Sequence, residues 1–466
     1  MELIQHLFEE FLQVAEKVLD LLDGEMDYPS FQLELRKELD NTGKMICREV
    51  LEGADARLKA NPKERKNWIV ERKDEVKSVL TTFGEMTFKR TYYHNKKTGG
   101  YAHLIDLAAG LQPHAKTDLA VRANLVDSAT DVSYRKAGKQ VCLSSPECDL
   151  SGQTVMNMVR RTSLDNYTSC SRGPKAQARV LHVQADEDHV HRQEGGTALA
   201  KLVYTTEGYG PSLGKRKCLS NVRYTAGLYQ DNEALCQDVY DGIDSDYDID
   251  SIEKLFVSGD GALWIKGLAD YLGAVFLLDR YHINKCINES LAFCPELRSE
   301  LRQAVEGFNL DAAKSVLKKA RKKAATETEK ERVARCRKYL VGNWDGIYAW
   351  KTEAPDVIGC SAEGHVSHVL SARRLSSRPM AWSEPGADRI SKLRAMKANG
   401  ISVRDYVLQQ AAPDLTLTKA VRYDIPSQRE QLRKVSWEVF DNMPALRGST
   451  ASLRRALRAI STISTT

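Results

Sequence analysis

The fold is decided by Arg179-Val180-Leu181-His182-Val183-Gln184-Ala185-Asp186-Glu187-Asp188-His189-Val190, a short apolar stretch that leads into a cluster of acidic side chains. Apolar residues alternate along its first half, which predicts a β-strand that is ended directly by Asp186. A second apolar strand, at 255–258, is followed by Asp260 on a glycine turn. Carboxylates at the ends of neighbouring strands can converge on a hard cation such as Mg²⁺, which prefers oxygen ligands. We therefore expect Asp186 and Asp260 to share a metal site.

The segments around these two aspartates predict an α/β domain. Further strands are expected at 199–204, 218–224 and 274–278, and helices at 232–242 and 262–272. Three strands, then helix, strand, helix and strand, is the order of an RNase H-like domain. We therefore predict an RNase H-like mixed-sheet catalytic core whose first part covers residues 175–282.

A third carboxylate is expected from beyond this core. Residues 283–355 have a helical pattern and predict an all-α insertion, after which a helix beginning near Ser361 carries Glu363. Two-metal phosphoryl transfer uses a set of carboxylates around a pair of cations. Asp186, Asp260 and Glu363 supply that set if residues 356–400 return to the core. Residues 401–466 form a basic C-terminal region.

The N-terminal third predicts three smaller regions. Residues 1–78 have a helical pattern, 79–116 have the composition of a β-hairpin or meander, and 117–165 fit a helix-turn-helix. In the last region, a helix at 133–139 is followed by a second helix at 150–161, with Val155 and Val159 packing inward. The residues expected to face DNA bases or phosphates are Ser151, Gln153, Thr154, Asn157 and Arg160.

Charge is distributed unevenly along the 466 residues, whose net charge is +5. Residues 364–466 carry 17 Lys and Arg against 8 Asp and Glu, which is a net charge of +9 and leaves −4 for the remainder. Such a basic segment favours a polyanionic partner, and double-stranded DNA is the obvious one. Arg373, Arg374 and Arg378 are its candidate DNA contacts. A basic helical surface that contacts only solvent would have the same net charge.

Composition also sets limits on the class of protein. With 42% hydrophobic and 28% charged residues, the chain is expected to be globular, and no run of about 20 apolar residues is present to span a membrane. The N-terminus does not resemble a signal peptide, so we expect a cytoplasmic protein. The ten cysteines include no C-x-x-C pair, which favours reduced, buried thiols over a zinc module.

Two alternatives stay open near the first aspartate. Asp188 is two residues from Asp186 and would point to the same side of a strand, so it is a secondary candidate. The neighbouring His189 and His191 would point to the other side, but with a carboxylate they could form a zinc or iron site.

Several segments together resemble bacterial ISLre-type insertion-sequence transposases, a group similar to the Mutator-like DDE transposases. The resemblance is carried by Ala185-Asp186-Glu187-Asp188-His189-Val190, by Ser258-Gly259-Asp260-Gly261-Ala262-Leu263-Trp264-Ile265, by Cys360-Ser361-Ala362-Glu363-Gly364-His365-Val366 and by Ser376-Ser377-Arg378-Pro379-Met380. It implies a DDE triad at Asp186, Asp260 and Glu363 with two Mg²⁺ or Mn²⁺ ions. In Asp279-Arg280-Tyr281-His282 it implies an aspartate-x-x-histidine signature, with His282 near the scissile phosphate, where it would contact DNA or steady a carboxylate, and with Asp279 as a secondary candidate.

The function that the resemblance implies is cleavage at the ends of an element and strand transfer into target DNA, by a homo-oligomer that holds both terminal inverted repeats. Two rivals use the same residues. An RNase H-fold nuclease or resolvase would cut without joining, and a DNA-binding regulator with a degenerate site would do neither.

Overall fold

A computed structural model describes residues 2–141, 150–165, 167–168, 172–211, 217–376 and 380–410. The chain divides into two compact units. One comprises residues 1–125, 135–152 and 407–466, and the other comprises 126–134 and 153–406. No helix among the described residues combines the length and apolarity that crossing a bilayer requires.

The first unit consists of a helical pair and a three-stranded antiparallel sheet. Its elements are α1 (Glu2–Leu22), α2 (Tyr28–Ala60), β1 (Trp68–Thr81), β2 (Gly84–Asn95), β3 (Tyr101–Ala102), α3 (Leu104–Ala108), α4 (Leu119–Asp131), which continues into the second unit, and α5 (Tyr134–Val141). Helix α2 begins where the Asp27 side chain accepts a hydrogen bond of 2.7 Å from the Ser30 backbone N–H. The fully buried Leu58 and Tyr93 belong to one small core cluster in this unit.

The predicted N-terminal helical region is too long. Helix α2 ends at Ala60 and β1 begins at Trp68, so the prediction of helix to residue 78 is wrong for its last part. The error has a physical cause, because the charged run 71–75 interrupts the apolar alternation that would indicate a strand. Pairing with β2 holds this segment extended, and the register shifts next to Asp74, which has a φ of 56°.

The second unit is built on a mixed five-stranded sheet. Its strands are β4 (Val180–His191), β5 (Thr197–Thr206), β6 (Arg223–Gly227), β7 (Lys254–Gly259) and β8 (Val275–Leu278), in the spatial order β6-β5-β4-β7-β8. Strands β4, β5 and β6 pair antiparallel, whereas β7 pairs parallel with both β4 and β8. The predicted α/β class is confirmed.

Helices cover this sheet and continue beyond it. They are α6 (Gly152–Arg161), α7 (Asn232–Asp246), α8 (Leu263–Tyr271), α9 (Arg280–Ser290), α10 (Pro295–Glu306), α11 (Leu310–Lys323), α12 (Glu327–Gly342), α13 (Trp344–Thr352), α14 (Ala362–Val366), α15 (Glu384–Ala398) and α16 (Val403–Gln410). A 3₁₀ turn lies at Ile249–Ser251, and α14 continues into a π-helical segment, Ser367–Leu375. Helices α9 to α13 bury an apolar cluster of their own, which agrees with the predicted all-α insertion.

Two strands differ from their predicted bounds. Strand β4 does not end at Asp186, because its antiparallel pairing with β5 continues to His191. What ends near Asp186 is the parallel pairing with β7, whose last pair is Gln184 with Ser258. The strand predicted at 218–224 lies instead at Arg223–Gly227, since residues 218 and 220 bond to the loop at 208–210.

The alternation along β4 separates the core from the site. Leu181, Val183 and Ala185 are buried in the cluster that also contains apolar residues of α7 and α8. Gln184 and Asp186 point to the opposite side of the sheet, because successive side chains of a strand alternate. That side of the sheet, where Gln184 bonds to the segment before α14, carries the candidate site.

Candidate active site

Three acidic residues from distant parts of the chain meet at one edge of the five-stranded sheet. Asp186 lies on β4, just beyond its last parallel pair with β7. Asp260 directly follows β7, and its Oδ1 accepts a hydrogen bond of 2.8 Å from the Ala262 backbone N–H. Gly261 makes this turn with a φ of +91°, a conformation that favours glycine. Glu363 lies in the first turn of α14.

Gln184 attaches the glutamate helix to the sheet. Its Nε2 donates to the Gly359 carbonyl at 3.0 Å, and its Oε1 accepts from the Ser361 backbone N–H at 2.7 Å. The Tyr204 hydroxyl also donates to Oε1 and lies 2.7 Å from the Ser361 Oγ. Because Gln184 and Asp186 are two residues apart on one strand, these bonds bring the start of α14 to the side of the sheet that carries Asp186.

The pKa of Asp186 is affected by the charges of the other two carboxylates. Burial, together with the negative charges of Asp260 and Glu363, raises the pKa of Asp186 to about 6. A hydrogen bond from the Glu187 backbone N–H and the charge of His282 act in the opposite direction. The charges of Asp260 and Glu363 therefore both act on Asp186, although 177 residues separate Gln184 from Ser361.

The donor chemistry of this set fits a hard divalent cation. Asp186 and Asp260 each use one carboxylate oxygen in a backbone hydrogen bond, and Glu363 is exposed with no hydrogen bond to another described residue. Within the described part of the chain, no three His, Cys, Asp or Glu side chains form a group that could hold a metal ion as they stand. A complete three-carboxylate site therefore requires these side chains to draw closer together.

His282 is held beside the aspartates by Asp279. The His282 Nδ1 donates to the Asp279 Oδ2 at 2.9 Å, while the Asp279 Oδ1 accepts from the Tyr281 backbone N–H at 3.0 Å. The hydrogen bond to Asp279 raises the pKa of His282; burial opposes this, and the charges of Asp279, Asp186 and Asp260 add to it. The aspartate-x-x-histidine segment thus presents a ring that carries a proton more readily than a free histidine does.

The pH dependence of His282 should therefore change when Asp279 is altered. A raised pKa means that the stabilisation from this pair is complete below the ordinary histidine value of 6.5 and is lost as pH rises through the folded value. In Asp279→Asn, we expect the NMR titration midpoint of the His282 ring to fall below that of the wild type. Asp250→Asn, an exposed change on the 3₁₀ turn, is the control. An unchanged midpoint in Asp279→Asn would contradict the assignment.

The secondary candidate Asp188 has another partner. Its Oδ2 accepts a hydrogen bond of 2.8 Å from the Ser376 hydroxyl. His189 and His191 are exposed and lie on the side of β4 opposite to Asp186, whereas the buried Val190 between them lies on the same side as Asp186. Within the described residues, no histidine-containing metal group is formed at this position.

Both predicted helices of the helix-turn-helix are present as α5 and α6. Val155 and Val159 are fully buried, as predicted. Of the predicted DNA contacts, Ser151, Gln153, Asn157 and Arg160 are exposed and Thr154 is half-buried. The Gln153 Nε2 donates to the Asn157 Oδ1 at 3.2 Å, and an Arg160 Nη donates to the Ser383 hydroxyl at 2.9 Å. Contact of this face with DNA stays a prediction.

The predicted C-terminal contacts are only partly described. Arg378 lies outside the described residues, and so do the side chains of Arg373 and Arg374, although their backbone lies in the π-helical segment. Sequence reasoning missed the Gln184 attachment and Tyr339, whose hydroxyl donates to the Asp260 carbonyl at 2.7 Å. A polar residue two positions before Asp186 on a strand was the signal for the first, whereas nothing in the helical pattern indicated the second.

Comparison with known proteins identifies the family to which these residues belong. The model of a family described as "Uncharacterised protein family (UPF0236)" matches residues 21–411. A UPF0236 protein of Caldanaerobacter subterraneus subsp. tengcongensis is 36% identical over 411 residues, which is 86% of each chain. A second from the same organism is 34% identical over 411 residues, again 86% of each chain. A UPF0236 protein of Streptococcus gallolyticus is 24% identical over 348 residues, or 72% of this chain and 75% of the relative.

Proposed function

This chain belongs to the UPF0236 family, and we propose that it is a DDE transposase of an insertion sequence, with Asp186, Asp260 and Glu363 as its catalytic carboxylates. One observation carries the proposal: the parallel pairing of β4 with β7 brings Asp186 and Asp260 to the same end of the sheet, and the bonds of Gln184 bring the start of the glutamate helix to the side that carries Asp186. Like charges gathered in this way destabilise a site unless a cation is bound between them. A protein that bound no cation here would be more stable if one of these carboxylates were removed.

The arrangement of the sheet supports an RNase H-like core of the kind expected for this enzyme class. Three antiparallel strands, β4 to β6, come first, and two parallel strands follow, each after a helix. Asp186 lies on β4, Asp260 directly follows the adjacent strand β7, and Glu363 lies on a helix after the all-α insertion. This is the distribution that the resemblance to ISLre-type transposases implies.

The chain's own residues would share the work of phosphodiester chemistry. Asp186, Asp260 and Glu363 would hold two Mg²⁺ or Mn²⁺ ions, which when bound supply activation of water and stabilisation of the leaving oxygen. His282, held by Asp279, would place its protonated ring against an oxygen of the scissile phosphate. Tyr339 and Gln184 would act as positioning residues, since one bonds to the Asp260 backbone and the other fixes the segment before Glu363.

The insertion offers cations for the backbone of double-stranded DNA. Arg335 and Lys338 lie three residues apart on one side of α12, both are exposed, and neither is in an ion pair with another described residue. On α11, Lys318, Arg321 and Lys322 are also exposed. Tyr339 of α12 bonds to Asp260, so the basic side of this helix begins next to the site. Lysine and arginine side chains of this kind neutralise phosphates and release counterions.

The names of two relatives add an independent argument. The name of the second Caldanaerobacter relative contains eleven locus designations for one protein, and the name of the first contains four. One protein encoded at many loci of one genome is what repeated movement of an element leaves behind. A nuclease or regulator needed by the cell has no comparable reason to be present in so many copies.

The proposal is tested by incubating the protein with Mg²⁺, a duplex that ends in the inverted repeat bracketing its gene, and a supercoiled target plasmid. We expect cleavage at the repeat and joining of the new 3′ end to the target. Glu363→Gln keeps the shape of the side chain but removes a charged ligand, and should lower both products on the order of 10³-fold. Glu384→Gln, also in the first turn of an α-helix, is the matched control and should be active.

The products distinguish the rivals. Cleaved ends without joined product would indicate an RNase H-fold nuclease or resolvase. Binding of the duplex with neither product would indicate a DNA-binding regulator. Full activity of Glu363→Gln would contradict the triad itself.

A further inference from the structure

Two large apolar side chains are exposed beside the proposed catalytic carboxylates. Leu263, three residues after Asp260, is 87% exposed, and Tyr281, next to His282, is 51% exposed. The Tyr281 ring meets the His282 ring edge-on, with centroids 5.3 Å apart and an interplanar angle of 88°. Leu263 begins α8 after β7, and Tyr281 lies at the start of α9 after β8. Since β7 and β8 are adjacent and parallel, both residues lie at the same edge of the sheet.

Neither side chain is needed for folding. Helix α8 buries Ile265, Leu268 and Ala269, and α9 buries Ile283 and Ile287. Leu263 and Tyr281 lie on the other sides of these helices, so they contribute little to the core. Because both side chains are exposed at the same edge of the sheet, beside charged groups, both are available to a ligand bound at the site.

The two tryptophans of the insertion are not available for contact with DNA bases. Trp344 and Trp350 of the insertion are only 8% and 7% exposed, and the Trp350 Nε1 donates to the Leu278 carbonyl at 2.9 Å. Tyr281 is thus the exposed aromatic residue that directly contacts a member of the proposed site. The exposed face of the Tyr281 ring suits a flat, apolar group of a ligand.

We propose that Tyr281 stacks on a DNA base that is unpaired next to the scissile phosphate, and that Leu263 enters the space that this base leaves in the helix. The inference rests on the proposed function and specifies its substrate as locally opened duplex. Bases in intact B-form DNA are stacked on each other, so a side chain can reach the face of one only if it is unstacked. Apolar wedges of this type open base steps in other DNA-binding proteins.

The charges around the two residues favour a nucleic acid over a protein partner. Two apolar side chains are less than a protein interface normally uses. Leu263 lies three residues from Asp260 and Tyr281 lies next to His282, and the exposed Lys338 of α12 precedes the residue that bonds to Asp260. A base with its attached phosphate matches both the ring and the charges.

The test uses the full chain and the inverted-repeat duplex with 2-aminopurine placed, in separate probes, on each side of the cleavage position. Ca²⁺ replaces Mg²⁺ so that DNA can bind without being cut. We expect wild-type protein to increase the fluorescence of one probe through unpairing of its base, and Tyr281→Phe to behave alike because it keeps the ring. Tyr281→Ala should bind the duplex without that change, and Leu263→Ala should reduce it.

Cleavage in Mg²⁺ provides the second measurement. Base stacking on an aromatic ring is worth about 1–3 kcal/mol, which corresponds to roughly a 5- to 150-fold lower cleavage rate for Tyr281→Ala. A mismatch at the unpaired position should restore much of that loss, because the base is then already free. Tyr240→Ala, which removes a 40% exposed tyrosine from α7, is the matched control and should cleave like the wild type.

The outcomes separate this inference from the function on which it rests. If wild-type protein cleaves but no probe changes, or if a mismatch does not rescue Tyr281→Ala, the role of Tyr281 is overturned and the transposase proposal stands. If wild-type protein neither cleaves nor joins DNA, both fall.

Discussion

Asp186→Asn is expected to remove DNA cleavage while making the folded protein more stable. Burial and two neighbouring carboxylates raise the pKa of Asp186 from 3.8 to about 6. At pH 8 the residue is therefore charged in an environment that favours its neutral form. Asparagine has nearly the same shape and no charge, so it relieves this cost, which we place at roughly 1–3 kcal/mol of unfolding free energy. Loss of one metal ligand should lower cleavage on the order of 10³-fold.

The sign of the pH dependence follows from the direction of the shift. Because the folded pKa is above the unfolded value, the folded state binds the proton more tightly, and wild-type stability decreases as pH rises from about 4 to about 6. Asp186→Asn should lack this decrease. Urea unfolding at pH 8 in the presence of EDTA is the measurement, with Asp188→Asn as the control on the same strand. Equal stabilities of wild type and Asp186→Asn would show that Asp186 is not under charge repulsion.

Gln184→Ala is expected to have the largest effect on stability. Gln184 is fully buried, and its side chain bonds to the Gly359 carbonyl, the Ser361 backbone N–H and the Tyr204 hydroxyl. Alanine removes these three hydrogen bonds, each worth about 1 kcal/mol, so we expect a loss of roughly 2–4 kcal/mol. For a unit of this size, that corresponds to a lower thermal midpoint by about 10 °C.

The same substitution should also affect the site. Without Gln184 the segment before α14 loses its attachment to β4, so cleavage should fall even at temperatures where the protein stays folded. Gln237→Ala, an exposed change on α7 that removes hydrogen bonds to Asp241 and Tyr271, is the control for stability and activity. A thermal midpoint of Gln184→Ala within about 2 °C of the wild type would mean that the three hydrogen bonds of Gln184 contribute little to stability.

Local pattern in the sequence was sufficient where a residue's environment depends on its own strand or helix. The alternation through Leu181, Val183 and Ala185 predicted the central strand, and the apolar run before Asp260 predicted its parallel neighbour. The helical periodicity after β8 likewise predicted the insertion. In each of these segments, burial of one face decides the structure, and the period of the apolar residues indicates that face.

Pairing with a strand that is distant in sequence could not be predicted from the local pattern. Strand β1 begins at Trp68 within a charged run because β2 holds it, and β4 extends beyond Asp186 because β5 continues beside it. The bond from Tyr339 to Asp260 joins two elements whose own patterns are satisfied without it. Likewise the exposure of Tyr281 depends on what packs around α9, which only the assembled chain determines.

The long separation between β4 and α14 has a consequence during synthesis. Gln184 and its partner Ser361 are 177 residues apart, so at roughly 5–20 residues per second the ribosome needs about 9–35 s to pass from one to the other. In the later part of that interval, once Asp260 has been added, the growing polypeptide contains both aspartates but lacks the glutamate. Under the proposed function, the unfinished enzyme is harmless to the chromosome beside which it is made, and its ability to cut begins only when translation nears completion.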